Sequence, residues 1–73
     1  MDATEAALMA REHLCRVPGM QPYLGFEIIN ISHLDWNEWE IECRVFSTRT
    51  SKMVKYLVVI QDDKVRSSVE WIE

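Results

Sequence analysis

The sequence predicts an α+β fold, one N-terminal helix packed on one face of a four-stranded antiparallel meander sheet. Three observations predict it. Residues 3–16 carry apolar side chains at helical spacing. Nearly everything after Gly25 falls into runs rich in Val, Ile, Trp, Tyr and Phe. Those runs are separated by "LDW", "STRTSK" and "DDK", each short enough for a hairpin.

The helix is expected from Ala3 to Arg16. Asp2 and Glu5 have capping-box spacing, so the Asp2 carboxylate can accept from the Glu5 amide. Ala3, Ala7, Ala10, Leu14 and Val17 fall on one stripe, widened at its edges by Ala6, Met9 and His13. Glu5, Arg11, Glu12 and Arg16 mostly face water. "VPG" at 17–19 ends the helix, because Pro18 disfavours the α region for Val17 and Gly19 permits a sharp turn. "MQPY" continues as connecting loop.

Strands are expected at Phe26–His33, Asn37–Phe46, Met53–Gln61 and Val65–Ile72. Pairing Phe46 with Met53 places Val45, Cys43, Ile41 and Trp39 opposite Val54, Tyr56, Val58 and Ile60. That makes one continuous apolar face, the seat of the helix. It also answers what "EWEIECR" is: Glu38, Glu40 and Glu42 line the other, solvated face, with no second group nearby to set one carboxylate against another. If "DD" at 62–63 is a two-residue turn, Ile60 meets Val65, Val58 meets Ser67, Tyr56 meets Val69 and Val54 meets Trp71. On the outer face Lys55 then meets Glu70 and Met53 meets Ile72. The first strand is ambiguous. Turning Ile29 and Ile31 inward leaves Phe26 and Ile28 outward, and the opposite register exchanges the pairs.

The outer face is accordingly too apolar for a bare surface. Phe46, Met53, Leu57, Val59 and Ile72 project there, with Trp36 near the rim, and strand one adds two more large side chains in either register. These residues are the expected interaction surface, for a second copy of the chain or a protein partner, with a homo-oligomer and most simply a dimer in view. The alternative considered is that sheet twist and bulges return them to the core.

Composition narrows the function classes. The 73 residues make one domain, 1–73, with 48% hydrophobic and 27% charged residues and no repeat, linker or low-complexity stretch. A chain of this size buries only about 60% of the surface it exposes when unfolded, so small folds add disulfides, a metal or a partner. The opening "MDATEAALMAREH" has neither the basic nor the apolar region of a secretion signal, which predicts a cytoplasmic protein whose two cysteines stay free. His13 and Cys15 point about 200° apart on a helix, so no metal site is expected, nor any other cofactor. No apolar run is long enough for a membrane span.

Charge is segregated along the chain. Residues 1–42 carry eight acids and two bases, whereas 43–61 carry Arg44, Arg49, Lys52 and Lys55 and no acid. Those four, with the hydroxyls of "STRTSK", are a candidate anion site. They also carry an alternative function, nucleic-acid or anion binding through 44–55. The net charge of −4 and pI near 5.1 argue against a nucleic-acid partner, as does the expected core position of Tyr56 and Trp71. No glycine-rich phosphate loop or nucleophile elbow occurs, so no enzyme is expected. Any pocket should lie between helix and sheet near His13, Tyr56 and Trp39.

"WEIECRVF", "KYLVVIQDDKV" and "VEWI" together resemble the strand portion of PepSY-type domains, in which a helix precedes a tryptophan-led hairpin ending in an acidic turn. The resemblance spans about Trp39 to Ile72; the usual turn glycine and a secretion signal are missing. It implies a regulatory or inhibitory binding role and assigns no residue.

Overall fold

The structure, a computed structural model, describes residues 1–71. It contains α1 (Ala3–Leu14), β1 (Phe26–Asp35), β2 (Glu38–Ser47), β3 (Lys52–Gln61) and β4 (Lys64–Trp71). The strands form one antiparallel sheet in the order β1-β2-β3-β4, an open meander, and α1 covers its inner face. This is the α+β architecture that the sequence predicts.

The helix starts where expected. The Asp2 side chain accepts from the Glu5 amide at 2.8 Å, satisfying a donor that the first turn leaves open. It stops at Leu14, two residues short of expectation. The amides of Arg16 and Val17 bond to the carbonyls of His13 and Leu14, three residues back, which tightens the chain out of α geometry before Pro18. The buried stripe is Ala6, Ala10 and Leu14, rotated from the one centred on Ala7 and Ala10; Ala3 is exposed. Ala6 and Ala10 have little side chain, so the helix lies close to the sheet along that line.

The β2–β3 register is the expected one at every pair, from Trp39 opposite Ile60 to Phe46 opposite Met53. Ile41, Cys43, Val45, Val58 and Ile60 are wholly buried there beneath α1, with Trp39 and Tyr56 nearly so. The β3–β4 turn is also as expected. Asp62 and Asp63 take φ of 54° and 61°, the left-handed pair a two-residue hairpin needs, which aspartate tolerates better than most residues. Asn37, at the tip of the β1–β2 turn, braces it by accepting from the Asp62 amide and donating to the Asp62 carboxylate.

Both outer strands correct the sequence-based register. Along β1 the pairing shifts at Ile29 and again at Leu34, so Phe26, Ile28, Ile31 and His33 all lie on the inner face. The two readings of that strand were exclusive only for a regular strand; one extra residue satisfies both. Neither Phe26 with Ile28 nor Ile31 turns to the outer face, and the unpaired Ile29 and Leu34 are exposed. In β4, Arg66 is the extra residue. Ile60 still meets Val65, but Val59 meets Ser67, Val58 meets Ser68, Leu57 meets Val69, Tyr56 meets Glu70 and Lys55 meets Trp71. The expected Val58–Ser67, Tyr56–Val69, Val54–Trp71 and Lys55–Glu70 pairs do not form, and the Met53–Ile72 pair lies outside the described residues. The shift brings Ser68 beneath α1, where its hydroxyl lies 2.9 Å from Nε2 of His13.

The α1–β1 connection runs along the end of β2. Gln21 donates to the Phe46 carbonyl, and the Phe46 amide donates to Gly25. At Gly19, φ is +85° and the Arg49 side chain lies directly over the backbone, with Nε 2.8 Å from where a Cβ would sit.

Two substitutions test these supports by chemical denaturation. Ile41→Ala should cost about 2–5 kcal/mol, a large part of the ~4–11 kcal/mol expected of a domain this size. Gly19→Ala should cost about 1 kcal/mol or more, because strain at positive φ and the displaced Arg49 add.

Candidate functional site

Strand alternation beneath the helix sets the outer face, because every residue between two inward ones must point away from α1. On β2 that gives Glu38, Glu40, Glu42, Arg44 and Phe46; on β3 it gives Met53, Lys55, Leu57, Val59 and Gln61. The bulges complete the face with Glu27, Asn30 and Ser32 from β1 and with Ser67, Val69 and Trp71 from β4. It divides down its length. The β1/β2 half is acidic and polar, whereas the β3/β4 half is apolar around Leu57, Val59, Val69 and Trp71. Val69 is 58% exposed, Trp71 47% and Met53 41%, while Phe46, Leu57 and Val59 are half-buried.

Lys55 sits on the boundary. Its ammonium is 3.5 Å from the Glu42 carboxylate and 4.5 Å from the centre of the Trp71 ring. Phe46 and Met53 cap one end of the face, where the Met53 sulfur reaches across to Gly25 and a Cβ there would come within 2.8 Å of it. Trp36, at the β1–β2 turn, is 82% exposed, with its amide held by the Asp35 carboxylate. Ile72 lies outside the described residues. Val69 and Trp71 are the surface residues that sequence reasoning missed. Nothing in the sequence could have found them, since Ser67 or Ser68 would serve equally well beneath His13 and only the bulge decides between them.

The candidate anion site is not a single constellation. Arg44 and Lys55 are cross-strand neighbours on the outer face, with Glu27 and Glu42 beside them. Arg49 donates to the Pro18 carbonyl at 3.0 Å, and Lys52 lies opposite Ser47 at the start of β3. The Thr48 hydroxyl donates to the Gly19 carbonyl. Arg49 and Thr48 thus tie the β2–β3 loop to the connecting segment that follows the helix.

A cleft of about 350 Å³ opens between α1 and the β3–β4 turn, lined by Met9, Glu12, His13, Arg16, Asp63, Lys64 and Val65. It touches His13, as expected of a pocket, but neither Tyr56 nor Trp39, which lie in the core. The His13–Ser68 contact has the geometry of a nucleophile and its base, yet His13 has no other hydrogen-bond partner among the described residues to orient its ring. His33 stacks on Trp39 with ring centres 3.9 Å apart. Among the described residues no group of three His, Cys, Asp or Glu side chains is placed to hold a metal, and no helix is long and apolar enough to cross a membrane.

Two buried groups titrate abnormally. Burial pushes the Cys43 thiol up to about 11 from an ordinary 9.0. Burial also raises the Tyr56 phenol; the Glu70 carboxylate adds to the shift and the Arg49 guanidinium opposes it.

Comparison of the chain with protein-family models, with curated proteins and with solved structures gave no match.

The titrations predict an alkaline limit. The unfolded chain releases the Cys43 proton near pH 9 and the folded chain near 11. The stabilisation from keeping the thiol protonated is therefore full below pH 9 and lost as pH rises through 11. Denaturation midpoints should fall over that window, and Cys43→Ala should flatten part of the fall, leaving the share due to Tyr56.

Proposed function

We propose that the chain is a non-enzymatic cytoplasmic binding module that acts through the β3/β4 half of its outer sheet face and self-associates there. One observation carries this reading. The bulge at Arg66 sets Val69 and Trp71 on the outer face beside Leu57 and Val59, making a compact apolar area with charged residues on its flank. Large side chains exposed together in water are a standing free-energy cost, at about 25 cal/mol per Å² of apolar surface, and association removes it. The resemblance to PepSY-type domains points the same way, towards binding and away from catalysis. Two free cysteines, Cys15 exposed and Cys43 buried, suit a reducing compartment.

A second reading, stacking of nucleobases on the outer face, gains one observation, the position of Trp71 there. It remains the weaker. The Trp71 ring is already met by Lys55, and Glu38, Glu40 and Glu42 share the face with it. Bound phosphates would approach three carboxylates within about two strand spacings.

Light scattering on a sizing column should give a mass above one chain that rises with protein concentration. Val69→Lys should return it to one chain while changing stability by no more than about 0.5 kcal/mol, as expected at an exposed site. A Val69→Lys protein that still associates would move the interface elsewhere. Oligonucleotides at low salt should leave amide NMR signals on the outer face unmoved; shifts centred on Trp71 would favour the second reading.

A further inference from the structure

The register of β4 on β3 is a choice between two nearly balanced arrangements. In the one observed, Arg66 is the extra residue, so β4 turns Ser68 and Glu70 to the inner face and Ser67, Val69 and Trp71 to the outer one. A carboxylate thus lies opposite the nearly buried Tyr56, while two large apolar side chains stand in water, Val69 58% and Trp71 47% exposed. Taking Arg66 back into the ladder moves the strand by one residue and exchanges its faces. Val59 then meets Arg66, Val58 meets Ser67, Leu57 meets Ser68, Tyr56 meets Val69, Lys55 meets Glu70 and Val54 meets Trp71. That regular register is the one strict alternation predicts.

The two registers share their anchors. Ile60 faces Val65 in both, and the Asp62–Asp63 turn is unchanged. A serine hydroxyl lies beneath His13 in both, that of Ser68 in one and of Ser67 in the other. What differs divides evenly. The bulged register has the Leu57–Val69 pair, the Lys55 ammonium 4.5 Å from the centre of the Trp71 ring, and the hydrogen bond from Arg66 to Gln61. The regular register has an unbroken ladder, sets Glu70 beside Lys55, and packs Val69 and Trp71 against Tyr56 and Val54. There is room for them, since Glu70 is exposed at the position opposite Tyr56 and Val54 is only half-buried. As an edge strand, β4 has its register held from one side of the sheet only.

We infer that residues 66–71 of β4 exchange between these two registers on β3, His13 passing from the Ser68 hydroxyl to that of Ser67. Resting on the binding face proposed above, this exchange is also its regulation. The bulged register presents Val69 and Trp71 beside Leu57; the regular register withdraws them and puts Ser68 and Glu70 in their place.

Cysteine pairs within one chain separate the registers, because each pair shares a face in only one of them. All are placed in a Cys15→Ser background and oxidised with glutathione disulfide. Leu57→Cys with Val69→Cys reports the bulged register, and Lys55→Cys with Glu70→Cys the regular one. Leu57 and Lys55 are alternate residues of β3, so both pairs have the same hydrogen-bonding class. Val59→Cys with Glu70→Cys, joined in neither register, measures closure through general opening. Both register pairs should close faster than this control, the Lys55–Glu70 pair about 10- to 100-fold more slowly than the Leu57–Val69 pair, as for a minor state. Ser68→Ala should speed Lys55–Glu70 closure about 2- to 10-fold and Ser67→Ala should slow it by as much, since each removes the partner of His13 in one register. On unsubstituted protein, NMR relaxation dispersion should show exchange at residues 66–71 and their β3 partners but not along β1, which guards against variants that fail to fold. Lys55–Glu70 closure no faster than the control, with no exchange along residues 66–71, overturns the inference, as does an equal response to the two serine changes. Light scattering on the Lys55→Cys, Glu70→Cys chain then tests the regulation: the reduced chain should associate and the oxidised one should not. Equal mass in both states leaves the exchange standing and overturns the binding face.

Discussion

The packing of α1 on the paired strands β2 and β3 is the constraint on which the rest depends. Four cross-strand pairs, Trp39–Ile60, Ile41–Val58, Cys43–Tyr56 and Val45–Val54, form the floor on which Ala6, Ala10 and Leu14 sit. A slip of one residue would turn this whole apolar set to water and the Glu38–Glu42 carboxylates towards the helix. No other part of the chain carries so large a penalty for misalignment, and the central hairpin is accordingly regular along its full length.

Outer strands β1 and β4 are held on one side only, and they absorb the irregularities. Ile29 and Leu34 stay in β1 without a partner on β2, so Phe26, Ile28 and Ile31 can all pack against the core and His33 can stack on Trp39. Arg66 is left unpaired in β4, its guanidinium donating to Gln61 at 2.6 Å, and Ser68 comes under the helix to meet His13. Each bulge reconciles an uneven apolar pattern with an inner face whose available room is set by α1.

The same adjustment creates the surface to which function is assigned. On the inner face beside α1, β4 offers Ser68 to an imidazole, and the cost of that polar match is that Val69 and Trp71 turn outward. The acidic column on β2 has the reverse origin. It faces out because the residues between its members are needed in the core, and its carboxylates then restrict what can approach the apolar half beside it. Lys55, held between Glu42 and Trp71, marks the line between the two.

Much of this was legible in the sequence, and the reasons are specific. The helix cap at Asp2, the β2–β3 register and the Asp62–Asp63 turn follow from local spacing and strict alternation, which act through neighbours in the chain or directly across one hairpin. The outward positions of Phe46, Met53, Leu57 and Val59 followed from the same alternation. The bulges did not, because a bulge answers a demand from another element. Whether β4 keeps step with β3 depends on what α1 places over it, and Ser67 and Ser68 are equivalent until the helix is docked. By itself the sequence determined the α+β architecture, the central hairpin and the acidic half of the outer face. Only the tertiary structure decided that Val69 and Trp71 lie beside Leu57, since that outcome belongs to the packing of His13 against Ser68, 55 residues further along the chain.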